Sequence, residues 1–435
     1  MVVGNPPFLG DKLMIGALGE SYVDTLRRVY DRLPGAIDLC AYWHEKARAA
    51  IEDGRLSRAG LLATQGIRGG ENRVVLERIK RTGDVFFAYA DEPWVLAGAA
   101  VHISFVGQDD GSQHDRTLDG RAVASINANL TTGLDLTRAR RLAENSGIAF
   151  VGDQKGGPFE IDDKTAEAML AATNPDGRSN SDVVRPWATG LDVQGRPSQM
   201  WIIDFGTDLP ENESELYEAP FEYVRERVRP QRIGLRRGRH AARWWIHEEP
   251  RPGMRRALAG HSRYIATIRH SKHRLFAWMA PESLPDSALI AFARDDDYAF
   301  GVLHSRVHEV WARGTGTQVR EVESGFRYTP TSTFETFPFP RPKDEQCEVV
   351  AEAARDLDRL RTGWLNPTGS PGADLAKRTL TNLYNARPSW LARAHDLLDD
   401  AVLAAYGWPA DLSSEELLAR LLALNLARSE ERSER

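Results

Sequence analysis

The first hundred residues alternate between strand-like and helix-like spacing of hydrophobic positions. In chain order, the pattern predicts the end of a strand at 1–4, a helix from Asp38 to Gly54, a buried strand at 59–64, a helix at 71–82 and strands at 84–89 and 99–106, joined by a loop through 91–94. The first of these helices has one apolar face, formed by Leu39, Tyr42, Trp43, Ala47, Ala50 and Ile51. This alternation is typical of half of a doubly wound α/β domain with a mainly parallel sheet.

The pattern changes after this α/β region. Residues 108–121 are polar and rich in glycine, which predicts a linker. The following segment mixes short strands, such as 200–205 and 274–279, with helices, such as 214–227 and 301–311, and therefore predicts an α+β domain. Beyond residue 342 the chain is mainly helical, with helices predicted at 345–361, 389–406 and 414–426 and a frayed tail at 428–435. The predicted domains are 1–110, 111–342 and 343–435.

Composition narrows the class of protein. With 435 residues and 42% hydrophobic composition, the chain is long enough for several domains with cores of their own. Cys40 and Cys347 are far apart and do not have the spacing of metal ligands, so neither a disulfide scaffold nor a metal site is expected. No secretion signal or membrane-length apolar run is present, which indicates a cytoplasmic protein without a membrane partner.

The net charge of −6 conceals a strong asymmetry along the chain. Between Arg225 and Arg274, 14 arginines and one lysine oppose three acidic residues, so this segment carries +12 and the remainder −18. Aromatic and histidine residues are interleaved with these cations, namely His240, Trp244, Trp245, His261, Tyr264, His270 and His273. Phosphates bind such cations and bases stack on such rings, so the segment favours nucleic-acid binding over a merely solvated face.

The motif Asn5-Pro6-Pro7-Phe8 directly follows the first predicted strand. Ligands of open α/β sheets bind outside the carboxyl ends of the strands. Two consecutive prolines remove two amide donors and stiffen the loop, so it offers the carbonyl oxygens of Asn5 and Pro6 as acceptors. An exocyclic amino group needs two such acceptors, and Phe8 supplies a flat face for a base removed from the duplex stack. The motif therefore predicts transfer of a methyl group to the amine of a base.

Four segments resemble one known family. They are 2–10 (VVGNPPFLG), 66–73 (GIRGGENR), 91–100 (DEPWVLAGAA) and 327–340 (RYTPTSTFETFPFP). Together and in this order they resemble the single-chain type IIL restriction-modification enzymes, which join a nuclease, an N6-adenine methyltransferase and a target-recognition domain. The resemblance extends over essentially the whole chain.

The resemblance implies a fold and roles for particular residues. It implies the C-terminal half of a Rossmann-like class I methyltransferase sheet, with Asn5, Pro6, Pro7 and Phe8 as catalytic motif, followed by an α+β target-recognition domain and C-terminal helices. It also implies contacts to double-stranded DNA. The candidate residues for these contacts are Arg236, Arg237, Arg243, Arg269 and Lys272. Trp94 is open to two interpretations, as part of the base pocket or as a core residue.

The chain departs from the family at the cofactor site. The family binds S-adenosylmethionine through a glycine-rich turn and an acidic residue that precede the NPPF strand, whereas only four residues precede it here. Gly152, Gly156 and Gly157 follow a strand-like segment, but no helix follows them as a cofactor turn requires. No cofactor-binding residues are therefore assigned. We expect either an upstream polypeptide that supplies the cofactor site and nuclease, or a truncated chain.

Several functions remain open at this point. The first is an adenine-N6 DNA methyltransferase component of a restriction-modification system. The second is a non-catalytic DNA-binding specificity module. The same acceptors also suit the N4 amine of cytosine, and related loops act on RNA bases and protein glutamine.

Overall fold

The computed structural model describes residues 1–96, 99–233, 242–318, 326–369 and 372–433. The chain divides into two compact units, Met1–Arg138 (unit 1) and Ala139–Arg435 (unit 2). Within the described ranges, no helix has the length and apolar character needed to cross a membrane.

Unit 1 is built on a six-stranded sheet with the order β1-β2-β4-β3-β5-β6. Its strands are β1 (Val2–Gly4), β2 (Arg58–Thr64), β3 (Asp84–Leu96), β4 (Ala99–Asp109), β5 (Arg116–Leu118) and β6 (Arg121–Val123). The pairs β1·β2 and β3·β5 are parallel, whereas β2·β4, β3·β4 and β5·β6 are antiparallel. The prediction of a mainly parallel sheet is therefore wrong, although α/β architecture is present.

The reason for the mixed sheet is the connection between β3 and β4. The two strands pair as far as Leu96 and Ala99, so only two residues separate them, and so short a connection can join only antiparallel strands. Residues 91–94, predicted as a loop, belong to β3. A register shift between Tyr89 and Glu92 accommodates the proline that follows.

The helices of unit 1 are α1 (Asp11–Leu18), α2 (Glu20–Val29), α3 (Leu39–Glu52) and α4 (Arg73–Thr82). Helix α3 connects the parallel strands β1 and β2 and packs, together with α4, on the sheet. Its predicted start beside Asp38 is confirmed. Its buried face differs from the prediction, because Trp43 is 46% exposed and Ala50 is half-buried. The helix also buries Cys40, Ala41, His44, Glu45 and Arg48, which were not predicted.

The predicted linker at 108–121 is instead part of the sheet. Strand β5 lies within it and pairs with β3, and Leu118 is buried. The carboxylate of Asp109 accepts hydrogen bonds from the amides of Gly111 and Gln113 at 3.0 and 2.9 Å. The glycines and aspartates that suggested a linker therefore form a tight turn between strands.

Unit 2 contains three sheets, with the orders β14-β9-β10-β8, β13-β11-β15-β7 and β12-β17-β16. Their strands are β7 (Ala149–Val151), β8 (Glu160–Ile161), β9 (Val184–Ala188), β10 (Trp201–Ile203), β11 (Tyr264–Ile268), β12 (His270–Ser271), β13 (Phe276–Met279), β14 (Leu284–Pro285), β15 (Leu289–Phe292), β16 (Thr317–Gln318) and β17 (Phe326–Arg327). A core of buried aromatic and aliphatic residues, including Phe159, Trp187 and Phe205, packs against the two four-stranded sheets.

The helices of unit 2 overlap the predicted ones, with differences at 214–227, where the helix begins at Glu218, at 301–311 and at the C-terminal tail. They are α5 (Asp163–Ala171), α6 (Gly190–Gln194), α7 (Glu211–Ser214), α8 (Glu218–Arg227), α9 (Arg229–Ile233), α10 (Pro252–Leu258), α11 (Asp297–His304), α12 (Arg306–Thr315), α13 (Asp344–Leu365), α14 (Gly372–Leu375), α15 (Leu380–Ala386), α16 (Ser389–Tyr406) and α17 (Ser414–Ser433). The helix predicted at 301–311 is two helices, because the Ser305 side chain caps α12 by accepting from the His308 amide.

The third difference is the C-terminal tail, which was predicted to be frayed. Helix α17 continues to Ser433. Arg428 is buried and forms an ion pair of 3.0 Å with Glu144. Asn425 is also buried and bonds main-chain groups of Arg140 and Thr336. These contacts hold α17 against the rest of unit 2 as far as Arg428.

Candidate functional site

The motif Asn5-Pro6-Pro7-Phe8, here called the acceptor loop, directly follows β1 at the carboxyl end of that strand. Pro6 is buried, and Phe8 is half-buried against the core of unit 1. Asn5 and Pro7 are exposed. The loop is thus anchored through Pro6 and Phe8 while the Asn5 side chain remains accessible.

Two carbonyl groups of the acceptor loop are available to a ligand. Among the described residues, neither the side-chain amide of Asn5 nor the carbonyl of Pro6 takes part in a hydrogen bond. The prolines have no amide hydrogen that would compete for these oxygens. The loop therefore has two carbonyl oxygens without a hydrogen-bond partner at the carboxyl end of β1, and their role in binding an amine stays a prediction.

Asp38 connects the start of α1, three residues beyond the acceptor loop, to the end of β2. Its Oδ1 accepts a hydrogen bond from the amide of Asp11 at 3.2 Å, and its Oδ2 accepts one from Thr64 Oγ1 at 3.4 Å. The amide of Asp38 donates to Asn72 Oδ1 at 2.7 Å. Asp38 occupies the N-cap of α3, yet its carboxylate makes no capping bond to that helix. A side chain at this position ordinarily caps its own helix, whereas this carboxylate bonds the first amide of α1, three residues beyond the acceptor loop.

Three of the four segments that carry the family resemblance meet in this part of unit 1. Asp38 bonds Asp11, the residue directly after segment 2–10, and Asn72, which lies in segment 66–73. Arg68 of that second segment lies 3.6 Å from the carboxylate of Asp91, which opens the segment 91–100, and donates to the carbonyl of Ala90 at 3.3 Å. Sequence reasoning found these segments but gave no role to Asp38.

Trp94 does not behave as a core residue. It lies on β3, is 41% exposed, and contacts Phe105 edge to face with a ring-centroid distance of 6.2 Å. The interpretation as a buried tryptophan in a loop is therefore wrong. A role in the base pocket stays a prediction.

The aromatic residues interleaved with the basic segment are mostly buried. Trp244, Trp245 and Tyr264 form part of the core of unit 2. Both indoles donate inside the protein, Trp244 to Glu211 and Trp245 to the carbonyl of Leu209. The expectation that these three rings lie on a nucleic-acid-binding surface is wrong, since their hydrophobic area is used for packing.

Several arginines of the basic segment are also internal. Arg232 and Arg274 are buried and donate to main-chain carbonyls, and burial lowers the pKa of the Arg274 guanidinium to about 10. Arg255 forms ion pairs of 2.6 Å with Asp153 and with Asp204. The count of +12 therefore overstates the charge that this segment presents to solvent.

The five predicted DNA contacts have different positions. Arg236 and Arg237 lie outside the described residues. Arg243 is exposed and donates to the carbonyl of Thr207 at 2.6 Å. Arg269 is half-buried and Lys272 is exposed; the two lie close together around β12.

Arg269 and Lys272 belong to a larger cationic surface, the basic ridge, formed by Arg269, His270, Lys272, Arg313 and Arg327. His270 pairs with Arg327 across β12 and β17, and Arg313 donates to the carbonyl of Lys272 at 3.4 Å. Among the described residues, one side chain of the ridge forms an ion pair with an acidic residue: Arg313 pairs with Glu309. Arg313 and Arg327 lie outside the segment 225–274, which is why charge counting missed them.

The glycines considered as a cofactor turn have a packing role. A Cβ atom on Gly152 would lie 2.1 Å from the carbonyl oxygen of Asp286. Gly156 has φ of +63°, and a Cβ atom there would lie 2.6 Å from Glu248. The segment leads into β8 rather than into a helix. These residues do not fit S-adenosylmethionine, and we find no glycine-rich cofactor turn in the part of the chain that the structure describes.

One part of unit 2 is similar to a known target-recognition domain. Residues 254–341 match the family model described as "MmeI, target recognition domain", and all five ridge residues lie inside this match. The resemblance to the type IIL restriction-modification enzymes is thereby confirmed. No curated protein matches the chain.

The chain shares its fold with MmeI, a type IIL restriction-modification enzyme whose structure is known in complex with DNA. The TM-score is 0.75 at 20% identity, over 98% of this chain and 57% of that enzyme. The chain thus spans little more than half the length of MmeI, and the likeness establishes the fold alone. The type IIG restriction endonuclease BpuSI (TM-score 0.27, 12% identity, 93% of this chain and 54% of that chain) and the DrdV–DNA complex (0.34, 11%, 86% and 46%) are too distant to support an argument.

Proposed function

We propose that the chain is the acceptor-binding and DNA-recognising component of a site-specific DNA adenine-N6 methyltransferase in a restriction-modification system. The observation that carries the proposal is the acceptor loop, whose two free carbonyl groups lie at the carboxyl end of β1. An amino group with two hydrogens is the ligand that such a pair of acceptors suits.

The chain's own residues would bind and orient the amine. The side-chain carbonyl of Asn5 and the main-chain carbonyl of Pro6 accept its two hydrogens, so that the nitrogen lone pair is directed away from the loop. Positive charge develops on the nitrogen during methyl transfer, and both carbonyl dipoles stabilise it. Phe8 contributes a face for the extruded base. Neither a metal ion nor prior deprotonation of the amine is required.

The methyl donor would be S-adenosylmethionine, held by a further polypeptide part with a cofactor site. Strand β1 lies at one edge of its sheet, and its Val3 is 71% exposed. An exposed apolar strand at an edge is a site for pairing with another strand. We propose that a strand of the methyltransferase part, with or without a nuclease, pairs there. We derive no step through the cofactor, because the described residues do not hold it.

We propose that target recognition lies between residues 111 and 342, with the basic ridge as the surface that contacts double-stranded DNA. The ridge lies within the matched target-recognition region, whereas Arg243 lies outside it. Among the described residues, Arg269 and Lys272 form no ion pair with an acidic residue, and such cations are free to neutralise phosphates. The helical region 343–435 supports this surface. Since genomic DNA would be the substrate, we propose that the chain acts in the cytoplasm.

Reconstitution with a cofactor-binding polypeptide tests the proposal. We expect methylation of DNA when both are present, and a loss of about 100-fold or more in Asn5→Ala, because removal of one positioned electrostatic partner has this order of effect. Asp53→Ala, an exposed residue at the far end of α3, is the matched control. DNA binding without methylation in every mixture would instead favour the non-catalytic specificity module.

A further inference from the structure

The turn at residues 271–273, which carries Lys272 of the basic ridge, is held by side chains on its inner side. Ser271 Oγ donates to the carbonyl of His273 at 2.8 Å, and Gln194 Nε2 donates to the same carbonyl at 3.1 Å and also contacts Ser271 Oγ. The carbonyl of Lys272 accepts from Arg313. The backbone on both sides of the Lys272 side chain is therefore fixed.

Helix α15 of the C-terminal helical region supports this turn at two points. His273 Nε2 donates to Asn385 Oδ1 at 2.7 Å. One helical turn earlier, Thr381 Oγ1 donates to the carbonyl of Gln194 at 3.4 Å. The ring of Tyr384 lies against the ring of His273 with a centroid distance of 6.2 Å. The same helix thus contacts both the turn and the residue that braces it.

The Lys272 side chain itself is not engaged by the protein. It is exposed, and no ion pair or hydrogen bond involves its ammonium group among the residues that the structure describes. Three of its neighbours in the ridge are arginines, Arg269, Arg313 and Arg327. A lysine on a fixed backbone, free of acidic partners, loses less conformational entropy when it binds a phosphate than one on a mobile loop.

We infer that α15 positions Lys272 for contact with the DNA backbone, and that Asn385 is a positioning residue for DNA binding that does not itself touch DNA. This inference rests on the proposed function. It gives the C-terminal helices a part in DNA affinity, transmitted from Asn385 through His273 to the turn.

A double-mutant cycle on the full chain tests the inference, with fluorescence anisotropy of a labelled duplex of mixed sequence over about 50 to 200 mM salt. We expect Lys272→Gln to weaken binding about five-fold and to lower the slope of log K against log salt by about 0.9, the loss of one phosphate contact. Asn385→Ala should weaken binding about three-fold alone, as expected for one exposed hydrogen bond, and have no further effect in the Lys272→Gln background.

Matched variants separate positioning from a general loss of structure. Lys164→Gln removes an exposed lysine of unit 2 outside the ridge, and Asn382→Ala removes an asparagine of α15 that bonds its own segment rather than the turn. Both should bind DNA as the unmodified chain does. Thr381→Val is a second α15 variant and should act in the same direction as Asn385→Ala, also only when Lys272 is present.

Three results would overturn the inference. Unchanged affinity and salt slope in Lys272→Gln would exclude Lys272 as a phosphate contact. Independent, multiplicative effects of Asn385→Ala and Lys272→Gln would show that the helix acts in another way. An unmodified chain that binds no duplex at all would overturn both the inference and the proposed DNA recognition, whereas the first two results leave the proposed function intact.

Discussion

Asp38→Ala tests how the acceptor loop is held. The substitution removes two hydrogen bonds, to the Asp11 amide at 3.2 Å and to Thr64 Oγ1 at 3.4 Å. Both are at the long end of the usual range and Asp38 is half-buried, so together they contribute about 1 to 2 kcal/mol. No capping bond to α3 is lost, because the carboxylate makes none. The effect should therefore be confined to the start of α1 and the acceptor loop that precedes it.

Amide hydrogen exchange of the full chain measures this effect. A loss of about 1.4 kcal/mol in local stability corresponds to a tenfold faster exchange. We therefore expect the Asp11 amide, and the peptide that contains the acceptor loop, to exchange about ten times faster in Asp38→Ala. The main chain of α3 should keep its protection. Asn72→Ala, which removes the partner of the Asp38 amide, should act in the same direction.

The matched control is Asp53→Ala, at the C-terminal end of α3, where the carboxylate pairs with Arg55 on the surface. Surface pairs of this kind contribute little, so exchange in the acceptor loop should not change. Unaltered exchange at Asp11 in Asp38→Ala would refute the reasoning. So would equal acceleration throughout α3, since that would mean that Asp38 stabilises the helix and not the loop.

Three further predictions concern unit 2. Asn425→Ala should lower the free energy of unfolding by about 2 to 4 kcal/mol in denaturant titrations, because it removes three hydrogen bonds to buried main-chain groups; an unchanged midpoint would contradict this. Burial opposes ionisation of Asp204, but Arg255 and nearby cations lower the pKa of its carboxyl group to about 2. The stabilising effect of the Asp204 carboxylate should therefore be complete above about pH 4 and be lost as pH falls toward 2. Asp204→Asn should show a flatter profile of thermal stability against pH. Gly152→Ala should reduce the yield of folded protein, since its Cβ atom would overlap the carbonyl of Asp286; normal yield and stability would show that the contact is not so close.

The acceptor loop was predictable because its signals are local. Two prolines after a short hydrophobic strand fix the loop whatever the rest of the chain does. The start of α3 beside Asp38 and its end near Gly54 follow from equally local preferences. What the sequence did not reveal is the partner of the Asp38 carboxylate. A residue at an N-cap normally bonds its own helix, and only the tertiary structure shows that this one bonds the start of α1, just after the acceptor loop.

The basic ridge was less predictable, because charge along a sequence does not report exposure. Arg232 and Arg274 lie in the most basic segment, yet their guanidinium groups are buried and satisfied by main-chain carbonyls. Conversely, Arg313 and Arg327 join the basic ridge through long-range contacts with β12 that the sequence does not show. Trp244 and Trp245 were predicted to lie on a stacking surface because they are interleaved with charged residues. A buried aromatic ring and an exposed one show the same interleaving in a sequence.

The same limitation explains the misplaced loop and linker in unit 1. Residues 91–94 contain two acids and a proline, which disfavour a strand. They nevertheless pair along β4, because a register shift between Tyr89 and Glu92 absorbs the irregularity. Strand β5 is only three residues long, and a periodic pattern cannot emerge over so short a segment.

The most direct test of the central claim is nucleoside mass spectrometry of DNA incubated with the chain, a cofactor-binding polypeptide and S-adenosylmethionine. The proposal that the acceptor loop binds the amine of adenine predicts N6-methyladenine with the unmodified chain and little or none with Asn5→Ala, at equal DNA binding. N6-methyladenine at an undiminished level in Asn5→Ala would contradict the role of the loop. N4-methylcytosine in place of N6-methyladenine would contradict the choice of base.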